Sequence, residues 1–358
     1  MKTFVVNKDG STEIREIPKP MFSAKQALVK TIACGICGTD IKLLHHMFKG
    51  VPKSIYPLIL GHEGVGEVVE IGADVKSFRP GDKVLLPFVD PDPELFGELG
   101  SGWGALSEYA VVSDLMAYPE GKAPDVAYAQ TVLPEDINHV DAVMIVTFRE
   151  VLSSHRYFGI KPGDSVVVYG CGPVGLSFIR IMNLLGVKNV IAVDRHDEKL
   201  AMAKKLGAEA VINKNVIAVD RRKKAIVNSQ ADEVQTVVHK LYPQGVKYVI
   251  DAIGSPSVVN DAMSILADRG SVLCYGVPEK EEITIDYSKA NYNWNVIFQQ
   301  MPVKAEEGAA HQQVMEWIAS GKLVPKDFIS DYFVFDDSTK AYQMKLDRKI
   351  MGKGIITF

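Results

Sequence analysis

The chain has 358 residues, of which 47% are hydrophobic and 23% charged, and its formal net charge is −4. Domains usually hold ~100 to 200 residues, so two domains that meet at a cleft are expected. The composition excludes a disordered or low-complexity protein, and no basic stripe indicates a nucleic-acid partner. The densest charge cluster, residues 220–224, is interpreted as a solvated face.

The sequence also bears on location. Its first residues read directly into a strand and lack the apolar core of a signal peptide. No apolar stretch approaches the ~20 residues that would span a bilayer. Four cysteines scattered along the chain do not resemble the disulfide framework of a small secreted protein. We therefore expect a cytoplasmic protein without a membrane partner.

Short β-rich runs, separated by Gly and Pro, fill roughly the first 140 residues. Examples are residues 27–32, 64–71 and 82–86. Strands this short and this closely spaced predict a mostly antiparallel β domain.

Strands and helices then alternate regularly, after a predicted helix over residues 142–159. Helix-length segments separate the apolar runs, which predicts crossover connections and a doubly wound parallel sheet. The predicted strands are residues 165–169, 189–193, 210–212, 248–250 and 271–275, with a helix over 174–185. After about residue 295 the alternation stops, and a helix over 309–320 precedes a β-like tail at 354–358.

A glycine-rich turn follows the first strand of this second region. Residues 170–175 read G-x-G-x-x-G and open a helix, the context in which this motif binds a dinucleotide. The first two glycines permit a tight turn and close approach of a pyrophosphate, and the third lets helix and strand pack closely. An acid, Asp194, follows at the expected ~20-residue separation and is placed to bond a ribose hydroxyl. The predicted cofactor contacts are Gly170, Gly172, Pro173, Val174, Gly175, Asp194 and Arg195.

The acid at the end of the second strand also predicts which nicotinamide cofactor is used. A carboxylate at Asp194 repels a 2′-phosphate, which favours NAD. The neighbouring Arg195 could offset part of that repulsion, so NADP stays the alternative.

Two motifs in the β-rich region carry metal-ligand types. Residues 34–40 read C-G-I-C-G-T-D, and residues 61–66 read G-H-E-G-V-G. A thiolate and an imidazole from separate loops suit Zn²⁺. The competing interpretation is that Cys37 and His62 are packed core residues.

In combination, these motifs resemble those of the zinc-dependent medium-chain dehydrogenases. The motifs at 34–40, 61–66, 80–84, 107–109 and 170–175 occur in the family's order and span essentially the whole chain. The resemblance implies a GroES-like β domain of residues 1–146 and 295–358, with a Rossmann domain over 147–294. It further implies reversible hydride transfer between NAD and a small secondary alcohol, polyol or ketone. Family relatives commonly form homodimers or homotetramers through the cofactor domain.

The same resemblance assigns roles by position. It implies one catalytic zinc per subunit, held by Cys37 and His62, with Glu63 as an inner-sphere or exchanging carboxylate. Thr39 would relay the substrate proton, and Asp40 would orient the histidine ligand. Zinc would lower the pKa of the substrate hydroxyl so that hydride can leave.

The chain departs from the family at the third zinc ligand, which a Cys, Asp or Glu usually supplies. Here Val146 or Thr147 stands at the corresponding position. Three alternatives follow: zinc held by Cys37, His62, Glu63 and water; recruitment of Glu150 one helical turn along; or weak or absent metal.

Two further departures concern the structural zinc and the proton relay. The family's four-cysteine lobe is missing, so no structural zinc is predicted. Lys42 stands where a relay histidine is often found, and is either a contact for cofactor or substrate or a solvated lysine. Polar groups at Lys42, Arg149 and Glu150 favour polyols slightly over simple alcohols. The rival functions are a metal-independent reductase of the same superfamily and a non-catalytic NAD-binding protein.

Overall fold

A computed structural model describes residues 1–90, 92–214, 219–220, 225–226, 230–278 and 282–358. Most of the charge cluster predicted at 220–224 therefore lies outside the described residues. The strands are β1 (Lys2–Val6), β2 (Thr12–Glu16), β3 (Gln26–Ile36), β4 (Leu58–Ile59), β5 (Gly64–Ile71), β6 (Lys83–Leu85), β7 (Gly100–Ser101), β8 (Tyr109–Ser113), β9 (Val132–Leu133), β10 (Ser165–Tyr169), β11 (Asn189–Asp194), β12 (Ala210–Asn213), β13 (Val219–Asp220), β14 (Ala225–Ile226), β15 (Val246–Asp251), β16 (Leu266–Cys274), β17 (Trp294–Phe298), β18 (Ile329–Val334) and β19 (Lys353–Thr357). The α-helices are α1 (Gly38–Leu44), α2 (Pro93–Phe96), α3 (Met144–Phe158), α4 (Pro173–Leu184), α5 (Asp197–Leu206), α6 (Gln230–Leu241), α7 (Pro256–Ala262), α8 (Lys304–Ala319) and α9 (Ser338–Leu346).

The chain divides into two compact units. The first, which we call the catalytic unit, is Met1–Glu150 with Val303–Phe358, and the second, the Rossmann unit, is Val151–Pro302. The predicted boundaries were 146/147 and 294/295. The sheet of the Rossmann unit continues past residue 294 because β17 pairs in parallel with β16.

The Rossmann unit is built on a six-stranded sheet in the order β12-β11-β10-β15-β16-β17. Every pairing in this sheet is parallel. Its strands are apolar runs such as Val166, Val167 and Val168, which are fully buried, as strands covered on both faces require. The order is that of a dinucleotide-binding fold, with the switch point between β10 and β15.

The catalytic unit contains two sheets. A four-stranded sheet runs β2-β1-β4-β7, and a seven-stranded sheet runs β18-β19-β3-β5-β6-β9, with β8 also paired to β3. Most pairings are antiparallel, the parallel ones being β4 with β7 and β18 with β19. The predicted fold class, a Rossmann sheet plus a mostly antiparallel GroES-like β domain, is confirmed.

One helix differs from its prediction. Helix α8 begins at Lys304, five residues before the predicted start at 309. Its first turn carries Glu306 and Glu307, acids that suit a helix N-terminus but do not stand out as an apolar pattern. Among the described residues, every helix is too short or too polar to span a membrane.

Candidate active site

Cys37 lies where the longest strand of the catalytic unit gives way to a helix. It follows β3 and is the N-terminal capping residue of α1. Its backbone N–H donates to Asp40 Oδ2 at 2.9 Å, which satisfies one of the unpaired amides at the helix start. The hydroxyl oxygen of Thr39 lies 3.8 Å from the Cys37 sulfur. A thiol, a hydroxyl and a carboxylate are thus held by one turn of chain.

His62 reaches the same place from the loop after β4. The loop turns at Gly61, which has a φ of +98° and could not take a side chain, since a Cβ there would lie 2.6 Å from the Leu106 amide. Nδ1 of His62 is 3.3 Å from Oδ1 of Asp40. Burial alone would lower the pKa of His62, but the charges of Cys37 and Asp40 raise it well above its ordinary value.

An aromatic ring covers the imidazole. The ring centroids of Trp103 and His62 are 5.1 Å apart, with a tilt of 55°. Trp103 itself has a φ of +70°, an unfavourable backbone conformation for a bulky residue. Strain of this kind is often found at functional sites.

Glu63 is buried and fully engaged by neighbours. The Lys353 ammonium lies 2.6 and 2.5 Å from its two carboxylate oxygens, and the Thr147 hydroxyl donates to Oε1 at 3.0 Å. Strand pairing explains the contact, because Gly354 is opposite Ile36 and so brings Lys353 to the end of β3. Burial disfavours a charged lysine, yet Glu63 and Cys37 together raise the pKa of Lys353 above its usual value.

Cys37, His62 and Glu63 form a candidate ligand group, with one ligand atom of each within 4.8 Å of the others. Thiolate, imidazole and carboxylate are zinc ligands at ~2.0 to 2.3 Å, which is compatible with one ion among these three atoms. Nδ1 of His62 faces Asp40, which leaves Nε2 for a metal. The residues present therefore fit a zinc ion.

The segment that should supply a third family ligand does not do so directly. Val146 is fully buried and apolar, and the Thr147 hydroxyl donates a hydrogen bond to Glu63. Glu150 is outside the candidate ligand group, and its carboxylate lies 3.8 Å from the Lys304 ammonium. Of the three alternatives, this arrangement favours zinc with Cys37, His62 and Glu63.

Two basic residues from the sequence analysis, Lys42 and Arg149, differ in their surroundings. Lys42 is in the last turn of α1. Arg149 is completely buried, donates to the Thr131 hydroxyl at 3.1 Å, and has its pKa lowered to about 10 by burial. Its guanidinium is thus not displayed to solvent, which weakens the expectation that it meets a polyol.

The predicted cofactor loop in the Rossmann unit has the geometry that its glycines require. Gly170 has a φ of +93°, and a Cβ on Gly175 would fall 1.7 Å from the Gly170 carbonyl oxygen. Gly172 is the N-terminal capping residue of α4, and Pro173 occupies its first position, followed by Val174. The loop and helix therefore pack at a distance that only glycine allows.

Asp194 ends β11 and holds this loop through its carboxylate. Oδ2 accepts the N–H of Cys171 at 2.7 Å, and Oδ1 accepts the N–H groups of Arg195 and His196 at 2.7 and 3.0 Å. The acid predicted to bond a ribose is thus already fixed beside the glycine-rich turn.

Sequence reasoning missed three residues that shape these places. Asp251, at the end of β15, accepts the N–H groups of Ile253, Gly254 and Ser255, each at 2.9 Å, beside the switch point. A carboxylate that follows a buried strand and precedes a glycine was a readable signal. The sequence gives no comparable signal for Lys353 or Trp103, because their partners, Glu63 and His62, are remote in sequence.

Comparison with known proteins identifies the class. The description "Alcohol dehydrogenase GroES-like domain" matches residues 23–122, and "Zinc-binding dehydrogenase" matches residues 173–303. The chain therefore belongs to the zinc-type medium-chain alcohol and polyol dehydrogenase family.

Individual relatives match along nearly the full chain. The starvation-sensing protein RspB of Escherichia coli K12 is 28% identical and aligns over 100% of this chain and 99% of its own. Sorbitol dehydrogenase of Bacillus subtilis is 25% identical over 98% of this chain and 94% of its own. The structure of the alcohol dehydrogenase rspB from E. coli CFT073, complexed with NADH, has a TM-score of 0.75 and 26% identity, and covers 100% of this chain and 99% of its own.

Proposed function

We propose that the protein transfers hydride between NAD and a small secondary alcohol or polyol, or its ketone, with one catalytic zinc per subunit. The observation that carries this proposal is the convergence of Cys37, His62 and Glu63 within 4.8 Å in a chain of this family. The similarity to a sorbitol dehydrogenase supports an alcohol or polyol as the substrate class.

In this proposal, Cys37 and His62 would hold the metal, with Glu63 as the remaining protein ligand. A bound zinc ion would supply Lewis-acid polarisation of the substrate oxygen. Asp40 Oδ1, 3.3 Å from Nδ1 of His62, would orient the imidazole when the histidine holds a metal. Thr39 Oγ1 would accept the substrate hydroxyl proton while its own hydroxyl proton passes to solvent, and Lys42, on α1, is proposed to contact cofactor or substrate. Lys353 neutralises Glu63 and keeps its carboxylate in place.

The cofactor proposed is NAD, bound at the loop of residues 170–175. The unpaired N–H groups at the start of α4 would bind the pyrophosphate. Asp194 accepts a ribose hydroxyl with its remaining lone pairs and repels a 2′-phosphate, while Arg195 is the neighbour that could accommodate NADP. The cytoplasm as the place of action stays a prediction from the sequence.

The test is a screen of alcohols and polyols with NAD and NADP, followed at the absorbance of the reduced nicotinamide, beside a metal assay on protein purified without chelator. We expect Cys37→Ala to lose zinc and turnover. Cys274→Ala, which removes a buried thiol of the Rossmann unit, is the matched control and keeps both.

Each rival function has its own signature in that screen. Turnover that survives strong chelation and the loss of Cys37 indicates a metal-independent reductase. Tight NAD binding without turnover of any alcohol or ketone indicates a non-catalytic NAD-binding protein. Turnover of simple aliphatic alcohols without any sugar alcohol would remove the preference for polyols.

The oligomer proposed is a homodimer or homotetramer assembled through the Rossmann unit. Strand β17 is last in the strand order of its sheet. Phe298 is 52% exposed and Met301 57% exposed at and just after that edge, an apolar surface that a second copy could cover. Sedimentation of the protein beside Phe298→Asp checks this: a monomeric wild type contradicts it.

A further inference from the structure

The orientation of the His62 imidazole depends on its neighbours. The torsion that rotates a histidine ring is broad, so a ligand histidine needs a contact that fixes the direction of its nitrogens. Nδ1 of His62 lies 3.3 Å from Asp40 Oδ1, yet among the described residues it completes no hydrogen bond of good geometry. The ring centroid of Trp103 lies 5.1 Å from that of the imidazole, within the range of an aromatic contact. The indole can therefore restrain the imidazole before any metal binds.

The chain segment that carries Trp103 is hydrogen-bonded to the loop of His62. The N–H of Ala105 donates to the Gly61 carbonyl at 2.9 Å, and Gly61 directly precedes the histidine. On its other side, the Trp103 carbonyl accepts the Val89 N–H at 2.8 Å. The backbone on either side of the indole is thus fixed, and it holds the ring against the imidazole.

The backbone at Trp103 has a conformation that glycine would adopt more easily. Its φ is +70°, and the next residue, Gly104, has a φ of +81°. A Cβ on Gly104 would lie 2.7 Å from the Val89 Cβ, so this turn packs closely on its neighbour. Bulky residues with a positive φ cost free energy and persist where the surroundings determine them, often at functional sites. An indole at such a position indicates a role for the side chain.

A second aromatic ring supports the indole. The centroids of Phe48 and Trp103 are 5.8 Å apart with an angle of 83° between the rings, the edge-to-face arrangement that aromatic pairs favour. Both rings pack against the same core cluster. The indole therefore contacts two rings, Phe48 and the imidazole of His62.

We infer that Trp103 is a positioning residue of the metal centre: its indole holds the His62 imidazole in the orientation that leaves Nε2 for a metal. This inference rests on the proposed function, because its consequence is for metal held by His62. A ligand that is oriented before the metal arrives has less freedom to lose on binding, so the affinity is higher.

The experiment measures zinc affinity of the full-length protein by chelator competition, together with the visible spectrum of the Co²⁺-substituted protein. Trp103→Leu removes the aromatic contact, and we expect it to weaken zinc binding about tenfold and to alter the Co²⁺ absorption bands. Trp103→Phe keeps an aromatic ring and should recover most of the affinity. Trp103→Gly accepts the positive φ without strain, so it provides the same test if Trp103→Leu does not fold.

Phe333 provides the control for a general packing effect. It lies on β18, and its ring is partly buried against the same core cluster as Trp103. Phe333→Leu should bind zinc as the wild type does and keep the wild-type Co²⁺ spectrum. An equal loss of affinity in Phe333→Leu and Trp103→Leu overturns the inference, because it would indicate a loosened core.

Tryptophan emission provides a measurement that core packing does not change. Co²⁺ is an open-shell ion that quenches a nearby indole, so it should quench part of the wild-type emission. Trp103→Phe should lack that quenched part, although the protein keeps its two other tryptophans, Trp294 and Trp317. Identical quenching in both proteins overturns the inference.

The failure of this inference and the failure of the proposed function give different results. Wild-type zinc affinity in Trp103→Leu and Trp103→Gly overturns the role of the indole while the proposed function stands. A wild-type protein that binds no zinc at all overturns the metal-dependent function itself, and the inference with it.

Discussion

Replacing Lys353 by methionine tests the buried ion pair at the centre of the site. Methionine keeps an unbranched side chain of similar length but removes the ammonium that lies 2.5 and 2.6 Å from the two oxygens of Glu63. Both partners are almost inaccessible, at 3% and 2% side-chain exposure. The variant therefore leaves Glu63 as a buried charge whose remaining hydrogen-bond donor, among the residues that the structure describes, is the Thr147 hydroxyl.

Removing one partner of a buried pair costs ~3–5 kcal/mol, because the remaining charge is left uncompensated. For a unit of about 200 residues, such as the catalytic unit, each kcal/mol shifts Tm by roughly 2–4 °C. We therefore expect the transition of the metal-free catalytic unit to fall by about 6–20 °C. Glu63→Gln in the Lys353→Met background removes the stranded charge and should recover most of that loss.

Differential scanning calorimetry of metal-free protein provides the measurement, with Lys349→Met as the control. Lys349 forms a pair of similar length with Asp347, at 3.0 Å, but is 64% exposed. Its loss should change the free energy of unfolding by ~0–1 kcal/mol. A Lys353→Met protein that melts no lower than Lys349→Met would refute the view that this pair is buried and balanced.

Zinc gives the same variant a second, independent outcome. Without the ammonium, the Glu63 oxygens are free to face a cation, and a ligand that binds only the folded state raises its stability. Added zinc should therefore raise Tm more in Lys353→Met than in the wild type. An equal rise in both proteins would indicate that Glu63 does not contact the metal.

Three other predictions concern the cofactor loop, cofactor choice and pH. Gly175→Ala should destabilise the Rossmann unit, since its Cβ would fall 1.7 Å from the Gly170 carbonyl oxygen. A Cβ on Gly172 would meet nothing within 4 Å, so Gly172→Ala should fold normally but bind NAD more weakly. Thermal melts and NAD titrations distinguish the two variants. Asp194→Ala should move the ratio of kcat/KM for NAD and NADP about tenfold toward NADP, the factor that 1.4 kcal/mol of removed repulsion gives; an unchanged ratio contradicts the assigned role. Burial, together with the Glu150 carboxylate, raises the pKa of Glu307 to about 7 although the Lys304 ammonium, 2.7 Å from Oε1, opposes that shift. The folded state therefore holds this proton more tightly than the unfolded state, and the free energy of unfolding should fall as the pH rises from about 4.5 to 7. Urea melts at several pH values should show this slope in the wild type, and Glu307→Gln should lack it.

The elements that follow from local patterns were predicted well. Strands β5 and β10 have the predicted bounds, because β5 is a Val-rich run and β10 an apolar run, and a glycine follows each of them. The strand alternation predicted a parallel sheet, and the structure has one. Helix α8 was predicted to start five residues too late, since its first turn is charged and its periodic apolar pattern begins later.

The interactions that complete the candidate site join residues far apart in the chain, so local sequence patterns could not predict them. Lys353 and Glu63 are 290 residues apart and meet only because β19 pairs with β3. The sequence showed that Thr147 stands near the position where the family has a zinc ligand. The hydrogen bond from its hydroxyl to Glu63, however, depends on how α3 packs. Arg149 was read as a polar group for substrate, whereas its side chain is buried against Thr131.

The lysine and the missing third ligand have one electrostatic explanation. With Cys37 as a metal-bound thiolate, the ligand cluster would carry three negative side chains, Cys37, Glu63 and Asp40, and one ammonium, Lys353, so that a zinc dication would bring it to neutrality. A carboxylate at position 146, where the family often has one, would add another negative charge at a position that is fully buried. Uncompensated buried charge is costly, so an apolar Val146 is the residue that suits a site already balanced in this way. The loss of a ligand at that position is therefore consistent with a retained metal.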